Sequence, residues 1–201
     1  MQHTQLAVLG GGPGGYAAAF IAADEGLEVT IIEQDPRLGG TCLLRGCIPS
    51  KALLHVVRVM SEVDELAEDW GVDFGSPQIR LEQLRARKEQ VIEKMSGGLR
   101  QLAKRRNVRI IYGQGALLDS KTLQLSGDDA SIPEDGKLSF DHLILATGST
   151  PARPGSLAIE SDRVMDSTGA LQLEEIPGSL PVVGGGYIGL EMGTVYAHLG
   201  C

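Results

Sequence analysis

Hydrophobic residues follow two kinds of pattern along this 201-residue chain. Apolar runs over residues 5–9, 28–32 and 142–149 predict buried β-strands. Two long stretches, residues 51–70 and 81–106, place apolar residues every three or four positions and predict amphipathic helices. Several short apolar segments separated by turns predict a small antiparallel sheet inserted before the last buried strand. These segments are residues 108–112, 116–118, 122–125 and 137–140. Strands alternating with helices indicate an α/β fold with a parallel sheet.

The first buried strand runs into a glycine-rich turn that opens a helix. Gly10, Gly12 and Gly15 form the pattern Gly-x-Gly-x-x-Gly, and the next strand ends at Glu33. In this pattern the first glycine turns the chain, the second lets backbone approach a pyrophosphate, and the third lets the helix pack closely. The acid accepts hydrogen bonds from ribose hydroxyls. The turn therefore predicts a dinucleotide site, with these contacts: Gly10, Gly12, Pro13, Gly14, Gly15 and Glu33.

A second turn of the same kind lies near the end of the chain. Gly184, Gly186 and Gly189 follow the apolar run 181–183, which predicts a strand, and precede a helix. The Pro- and Gly-rich residues 151–155 indicate a linker before it. We therefore predict a nucleotide-binding domain over residues 1–150. Residues 151–201 would be the linker and the first strand and helix of a second such domain.

Two of the three cysteines, Cys42 and Cys47, have four residues between them. On a regular helix their Cα atoms would lie about 8.6 Å apart, whereas a disulfide wants roughly 4.4–6.8 Å. A bridge therefore needs a distorted backbone, which Gly46 allows. Pro49 indicates that a helix begins nearby. Cys47 would then lie at a helix N-terminus with Lys51 one turn on, an electropositive setting suited to thiol–disulfide exchange.

The cysteine pair has two other interpretations, a pair of buried apolar cysteines and half of a zinc site. Zinc sites use closer spacing and four ligands, and the remaining candidates are Cys201 and four scattered histidines. We therefore predict redox chemistry and no metal site.

Charge and hydropathy narrow the classes of partner. The net charge of −8 argues against nucleic acid and against an anionic membrane surface. No apolar run approaches the length of a membrane span, and no signal pattern precedes the first strand. We expect a cytoplasmic protein, a setting in which a disulfide is catalytic and transient.

The stretch 39–51, Gly-Gly-Thr-Cys-x4-Cys-Ile-Pro-Ser-Lys, resembles the active-site signature of the FAD-dependent pyridine nucleotide–disulfide oxidoreductases. With the continuation Ala-Leu-Leu-His it is most similar to the dihydrolipoamide dehydrogenase branch. The resemblance implies a Rossmann-like, three-layer FAD/NAD(P)-binding fold with a parallel sheet and a small antiparallel insertion. It also implies that Cys42 is the interchange thiol that meets the substrate, and that Cys47 lies against the flavin as a charge-transfer thiolate. Glu191 would pair with Lys51 near the flavin N5.

The resemblance further implies which residues bind the cofactors. The first fingerprint would hold the ADP half of FAD, and the second would hold NAD, with NADP left open. The remaining FAD contacts implied are Gly40, Thr41, Cys42, Lys51, Gly115, Ala116, Ala146, Thr147 and Gly148. The NAD contacts implied are Gly184, Gly186 and Gly189.

The implied activity is oxidation of a dithiol, small or carried on a lipoyl domain, by NAD+ through the Cys42–Cys47 disulfide and FAD. The resemblance also implies a homodimer and membership of a 2-oxo acid dehydrogenase complex. Because full-length members are more than twice as long, we expect an N-terminal part that lacks the general base and is inactive alone. Two alternatives remain: an NADPH-dependent enzyme like glutathione or mercuric reductase, and a nucleotide-binding module without turnover.

Overall fold

A computed structural model describes residues 2–201, which form two compact units. The first unit contains the residues up to Leu44 together with Lys94–Ser149, and the second contains Arg45–Glu93 and Thr150–Cys201. The change of unit after Ser149 lies next to the predicted boundary at residue 150. Residues 45–93, however, belong to the second unit. The predicted domains are defined by the nucleotide that each part of the chain binds, whereas the two units are defined by packing. The predicted division therefore stays a prediction.

The first unit is built on one six-stranded sheet in the order β3-β2-β1-β6-β5-β4. Strands β1, β2, β3 and β6 pair in parallel, while β4 and β5 continue the sheet from β6 with antiparallel pairing. The strands are β1 Gln2–Leu9, β2 Val29–Glu33, β3 Arg109–Tyr112, β4 Gln114–Asp119, β5 Thr122–Ser126 and β6 Lys137–Leu145. The α/β fold class with its parallel sheet is therefore confirmed.

One strand differs from the sequence prediction. Residues 137–140 and 142–149 are predicted as two strands, but Lys137–Leu145 forms a single one that ends before Ala146. Strand β6 pairs with β1 along its length, and its first residues also pair with β5. The antiparallel insertion therefore shares a strand with the parallel part and is not a separate sheet.

Apolar side chains cover both faces of the parallel strands. On one face, Val8 and Ile31 pack with α1 (Pro13–Asp24) and with the C-terminal half of α4 (Leu81–Arg105). The neighbouring residues Ala7 and Ile32 point to the opposite face. There they pack with apolar residues of β5 and β6, namely Leu123, Leu125, Leu138 and Phe140. Helices therefore cover one face of the parallel strands, and the apolar cluster on the opposite face extends along the same sheet into β5 and β6.

The second unit is mainly helical. It contains α3 (Cys47–Trp70), the N-terminal half of α4, α5 (Ser167–Ala170) and α6 (Tyr187–His198). A short 3-10 turn covers Gly155–Leu157. Helix α3 ends at Gly71, whose φ of 68° makes it a left-handed cap. Its apolar face packs against α6 and the segment after α5, in a cluster that includes Leu53, Val57, Leu173 and Val195.

The strand predicted at residues 181–183 does not form. These residues have no regular structure, and Val183 is 76% exposed. A strand exists only where its backbone groups pair with a neighbour, and within residues 2–201 no strand lies alongside. The helix predicted after it is present as α6.

Within residues 2–201, none of the helices combines the length and the apolar character needed to cross a membrane.

Candidate functional site

Two glycines of the first fingerprint are required by packing inside the protein. Gly10 has φ +106°, and a β-carbon there would lie 2.1 Å from the carbonyl oxygen of Ala146. A β-carbon on Gly15 would lie 1.8 Å from the carbonyl oxygen of Gly10. The turn after β1 therefore fits between the end of β6 and the first turn of α1 only without side chains at these positions.

Gly12 has a different surrounding. It is the N-cap of α1, with extended backbone at φ −75°. Of the described residues, a β-carbon there would meet only the Gly40 Cα atom, at an ordinary contact distance of 3.6 Å. Packing within the chain therefore does not require a glycine at this position. Because Gly12 has no side chain to cap α1, the first N–H groups of the helix are open to an anion, as in phosphate sites.

The segment before the cysteines lies against this turn. A β-carbon on Gly40, which has φ +57°, would lie 2.6 Å from the Cα atom of Gly12. The Gly39 N–H donates to the carbonyl oxygen of Gly11 over 3.0 Å. Gly40 and Thr41 begin α2 (Gly40–Arg45), which carries the half-buried Cys42. The predicted contacts from both segments therefore lie together in the first unit.

Glu33 is buried, with 5% of its surface exposed. Its carboxylate accepts hydrogen bonds from the backbone N–H of Gly11, over 2.6 Å, and from that of Asp35, over 2.8 Å. The acid thus fixes the glycine turn to the end of β2. Each carboxylate oxygen has a second lone pair, so the contact with ribose hydroxyls stays a prediction. The sequence did not indicate the bonds to Gly11 and Asp35, although both residues lie within or beside predicted motifs.

The other predicted FAD contacts of the first unit lie near the carboxyl ends of the parallel strands. Ala146 continues β6 beside β1, donating its N–H to the carbonyl oxygen of Leu9 over 2.8 Å. A β-carbon on Gly115 would approach the side chain of Leu9 to 2.8 Å. The Thr41 hydroxyl is 3.4 Å from the carbonyl oxygen of Ser149. The three remaining predicted contacts closely follow Gly115 or Ala146 in sequence: Ala116, Thr147 and Gly148.

In the second unit, the helix of the second cysteine is joined to the helix of the second fingerprint. Cys47 is the first residue of α3 and an exposed free thiol. Gly46, its N-cap, separates α3 from α2. One turn further on, the Lys51 ammonium donates a hydrogen bond to the Glu191 carboxylate of α6. The structure thus brings together the lysine and the glutamate that the resemblance pairs.

Electrostatics around Lys51 favour its charged form. The hydrogen bond to Glu191 raises the pKa of Lys51, and desolvation opposes this effect in part. The charge of Glu191, with smaller effects from Cys47 and Tyr187, adds to the upward shift. Tyr187 is the first residue of α6 and largely exposed, and the sequence did not indicate it as a neighbour of Lys51. Lys51 is therefore a positive charge close to the start of α3.

The second fingerprint repeats the geometry of the first. Gly184 has φ +107°, and a β-carbon on Gly189 would lie 2.4 Å from the carbonyl oxygen of Gly184. Gly186 is the N-cap of α6, again in extended conformation. A β-carbon there would have no neighbour within 4 Å among the described residues. The two turns therefore share the positive φ of the first glycine and the close contact of the third, but a β-carbon on Gly184 would meet no described residue within 4 Å, unlike one on Gly10.

Comparisons with protein-family models and with curated proteins give matches over nearly the whole chain. A family model described as pyridine nucleotide-disulphide oxidoreductase matches residues 4–201. The dihydrolipoyl dehydrogenases of Vibrio cholerae and Haemophilus influenzae are each 47% identical, over 198 and 197 residues. The leghemoglobin reductase of Glycine max is 40% identical over 198 residues. These matches cover 98% of this chain but 40%, 40% and 37% of the relatives.

A solved structure matches over the same range. The HOCl-induced flavoprotein disulfide reductase RclA from Escherichia coli superposes with a TM-score of 0.76 at 28% identity. That match covers 98% of this chain and 40% of the other. The chain thus spans about 40% of the length of these dihydrolipoyl dehydrogenases and of this structure.

Proposed function

Because the chain belongs to the pyridine nucleotide-disulphide oxidoreductase family, we propose that its protein is an FAD-dependent dihydrolipoyl dehydrogenase. It would oxidise dihydrolipoamide to lipoamide and reduce NAD+ to NADH. The contact between Lys51 and Glu191 carries the proposal, since it joins the helix that begins at Cys47 to the helix of the second fingerprint. Helix α3, which carries a cysteine of the pair, therefore contacts helix α6, which follows the predicted nucleotide-binding turn.

The residues of the first unit fit the ADP half of FAD. Gly12 leaves a space at the start of α1 that a β-carbon would fill and that packing does not need. The open N–H groups there suit a pyrophosphate, and Glu33 lies at the adjoining strand end. Gly40 and Thr41 border the same turn. Bound FAD would supply a two-electron acceptor that returns the reduced cysteine pair to a disulfide, with NAD+ as the final acceptor.

The cysteines would perform the exchange with the substrate. One thiol of the substrate attacks the sulfur of Cys42 in the disulfide, forming a mixed disulfide and releasing the thiolate of Cys47. The second substrate thiol attacks the substrate's own sulfur in that mixed disulfide, closing the substrate disulfide and releasing the thiol of Cys42. The substrate loses two electrons and two protons; the cysteine pair gains both electrons and, at Cys42, one proton, and the other proton goes to a general base. This pairing rests on the spacing in the sequence and on the family.

Lys51 would hold a fixed positive charge beside this chemistry. Its hydrogen bond to Glu191 raises the pKa of the ammonium and restricts a long, flexible side chain. Glu191 would therefore orient Lys51 and not react itself. The general base that takes protons from the substrate is not assigned to any residue of this chain.

The remaining assignments belong to the same proposal. Residues 1–150 would be the FAD-binding domain, and residues 151–201 the linker and start of the NAD-binding domain. The second fingerprint would bind NAD in preference to NADP. The substrate would be a small dithiol or a lipoyl domain of a 2-oxo acid dehydrogenase complex. The enzyme would act as a homodimer in the cytoplasm.

Steady-state assays of the full-length protein test the proposal. We expect NAD+ reduction with dihydrolipoamide, and its loss in Cys42→Ser and Cys47→Ser. Cys201→Ser is the matched control, because it removes the third cysteine and should retain turnover. Activity with NADPH and glutathione disulfide but none with dihydrolipoamide would contradict the proposal. Turnover that survives in Cys47→Ser would also contradict it.

A further inference from the structure

Helices α3 and α6 touch through polar side chains at two separate levels. Lys51 of α3 bonds to Glu191 of α6, and further along Ser61 of α3 bonds to His198 of α6, with 2.8 Å between Oγ and Nε2. The two levels are about 15 Å apart on α3 and about 10 Å apart on α6, from the rise per residue. Both pairs advance in the same chain direction. The helices therefore run side by side with their N-termini at the same end.

The ring of His198 is fixed by its own helix. Its Nδ1 atom lies 2.9 Å from the carbonyl oxygen of Thr194, which can only accept, so Nδ1 carries a hydrogen. In the neutral ring Nε2 then accepts from the Ser61 hydroxyl. In the charged ring Nε2 donates to Ser61 Oγ, and the hydroxyl hydrogen turns to the carbonyl oxygen of Val57, 3.3 Å away. The contact between the helices therefore persists in both charge states of His198.

Between the two polar levels the helices meet through apolar side chains. Leu53 and Val57 of α3 share a buried cluster with Met192, Val195 and Leu199 of α6 and its C-terminus. Burial of apolar surface fixes how close two helices lie, but it has no direction and only weakly fixes their sliding. A directional hydrogen bond at the far end of α6 restricts that sliding. The bond is thus placed to control the register of the whole helix pair.

The Lys51–Glu191 contact needs such control because its lysine is mobile. The Lys51 side chain is 57% exposed, whereas that of Glu191 is 21% exposed. An exposed lysine has little packing to hold it, and a shift of α6 would move the carboxylate out of reach. We propose that His198, through Ser61, is a positioning residue that keeps Glu191 in register with Lys51. The inference deepens the proposed function, on which it rests, by adding a residue outside the motifs.

The test measures the pKa of Lys51 in this chain by NMR of 13Cε-labelled lysine, with the signal assigned by Lys51→Arg. Glu191→Gln should lower this pKa, because it removes the hydrogen bond and the charge that raise it. Ser61→Ala and His198→Ala should each lower it in the same direction but by less than Glu191→Gln does, because they weaken the ion pair without removing it. Ser61→Thr, which keeps the hydroxyl, should restore the parent value.

Arg58→Ala is the matched control. It removes an exposed ion pair with Glu62 on the same helix, without touching α6. The Lys51 pKa should not change in this variant. The other titratable groups that act on Lys51, Glu191 and Tyr187 from α6 and Cys47 from α3, are retained in the variants of Ser61, His198 and Arg58. Differences in the Lys51 pKa among these variants therefore report the effect of the Ser61–His198 contact.

A purely structural role for His198 gives a different result. If Ser61→Ala and His198→Ala lower Tm but leave the Lys51 pKa at the parent value, the proposal is wrong. It is also wrong if Arg58→Ala lowers the pKa equally. If His198→Ala does not fold, Ser61→Ala, which removes one hydroxyl from a half-buried side chain, decides the question. Failure of the enzyme assay would refute the proposed function and leave this titration intact, so the two outcomes are distinguishable.

Discussion

Alanine at Gly12 and at Gly15, two glycines of the same turn, should affect different properties: FAD binding in the first variant and stability in the second. In Gly12→Ala the new methyl group occupies space that the protein itself leaves open, at the N-terminus of α1. In Gly15→Ala the new methyl group would lie 1.8 Å from the carbonyl oxygen of Gly10. The first variant should therefore lose FAD while keeping its fold, and the second should lose stability.

The expected magnitudes follow from the local geometry. At Gly12, alanine is a poorer N-cap by about 0.5–1 kcal/mol, but its restricted unfolded chain offsets this by about 0.4–1 kcal/mol. Its net effect on stability should be within about 0.5 kcal/mol. At Gly15, helix α1 must move by roughly 1.5 Å before the contact becomes ordinary. Such overpacking costs about 1–3 kcal/mol, or roughly 2–12 °C in Tm for a chain of this size.

Two measurements on each variant separate these effects. Thermal unfolding without ligand gives the stability, and quenching of FAD fluorescence gives the affinity. We expect Gly12→Ala to keep the parent Tm and to bind FAD at least about tenfold more weakly, a change of about 1.4 kcal/mol or more. If Gly12→Ala binds FAD as the parent does, or unfolds as early as Gly15→Ala, the assignment of Gly12 to phosphate binding is refuted.

Two further predictions concern buried charged side chains. Glu33→Gln should lower the free energy of unfolding in urea by about 1–3 kcal/mol, because it weakens bonds from the N–H groups of Gly11 and Asp35; an unchanged midpoint would contradict this. Lys88 is buried and donates to the carbonyl oxygen of Leu171, and burial lowers its pKa. The unfolded chain therefore binds the Lys88 proton more tightly, so stability should rise with pH from the lowered pKa up to about 10.4. Urea titrations of Lys88→Met across that window should lack this rise, and a rise equal to the parent's would contradict the reasoning.

The sequence predicts local structure well where a segment carries its own signal. Helix α4 begins at Leu81 as predicted and ends one residue before the predicted end. Helix α3 ends at Trp70, before Gly71, as predicted. Its start is less clear from the pattern, because Pro49 indicates a first helical turn at that residue, whereas the helix already begins at Cys47. Strand β6 is predicted as two strands because Asp141 interrupts its apolar pattern.

The features that the sequence does not predict depend on contacts between segments that are far apart in the chain. The run at 181–183 has the composition of a strand but lacks a neighbouring strand among the described residues. The bonds of Glu33 depend on how the turn at Gly11 folds back over β2. The Ser61–His198 contact joins residues 137 positions apart and belongs to no motif. The Lys51–Glu191 pair was found only through the resemblance, since by spacing either residue could be an ordinary surface charge.

The visible absorption spectrum of the purified full-length protein, before and after dihydrolipoamide, shows whether a thiolate–flavin pair forms. We expect a bound flavin that gains long-wavelength absorbance on reduction, because a thiolate at Cys47 would lie against it. The same gain should be absent from Cys47→Ser and present in Cys201→Ser. A protein that holds no flavin even with added FAD, or a Cys47→Ser variant with the parent's response, would contradict the account.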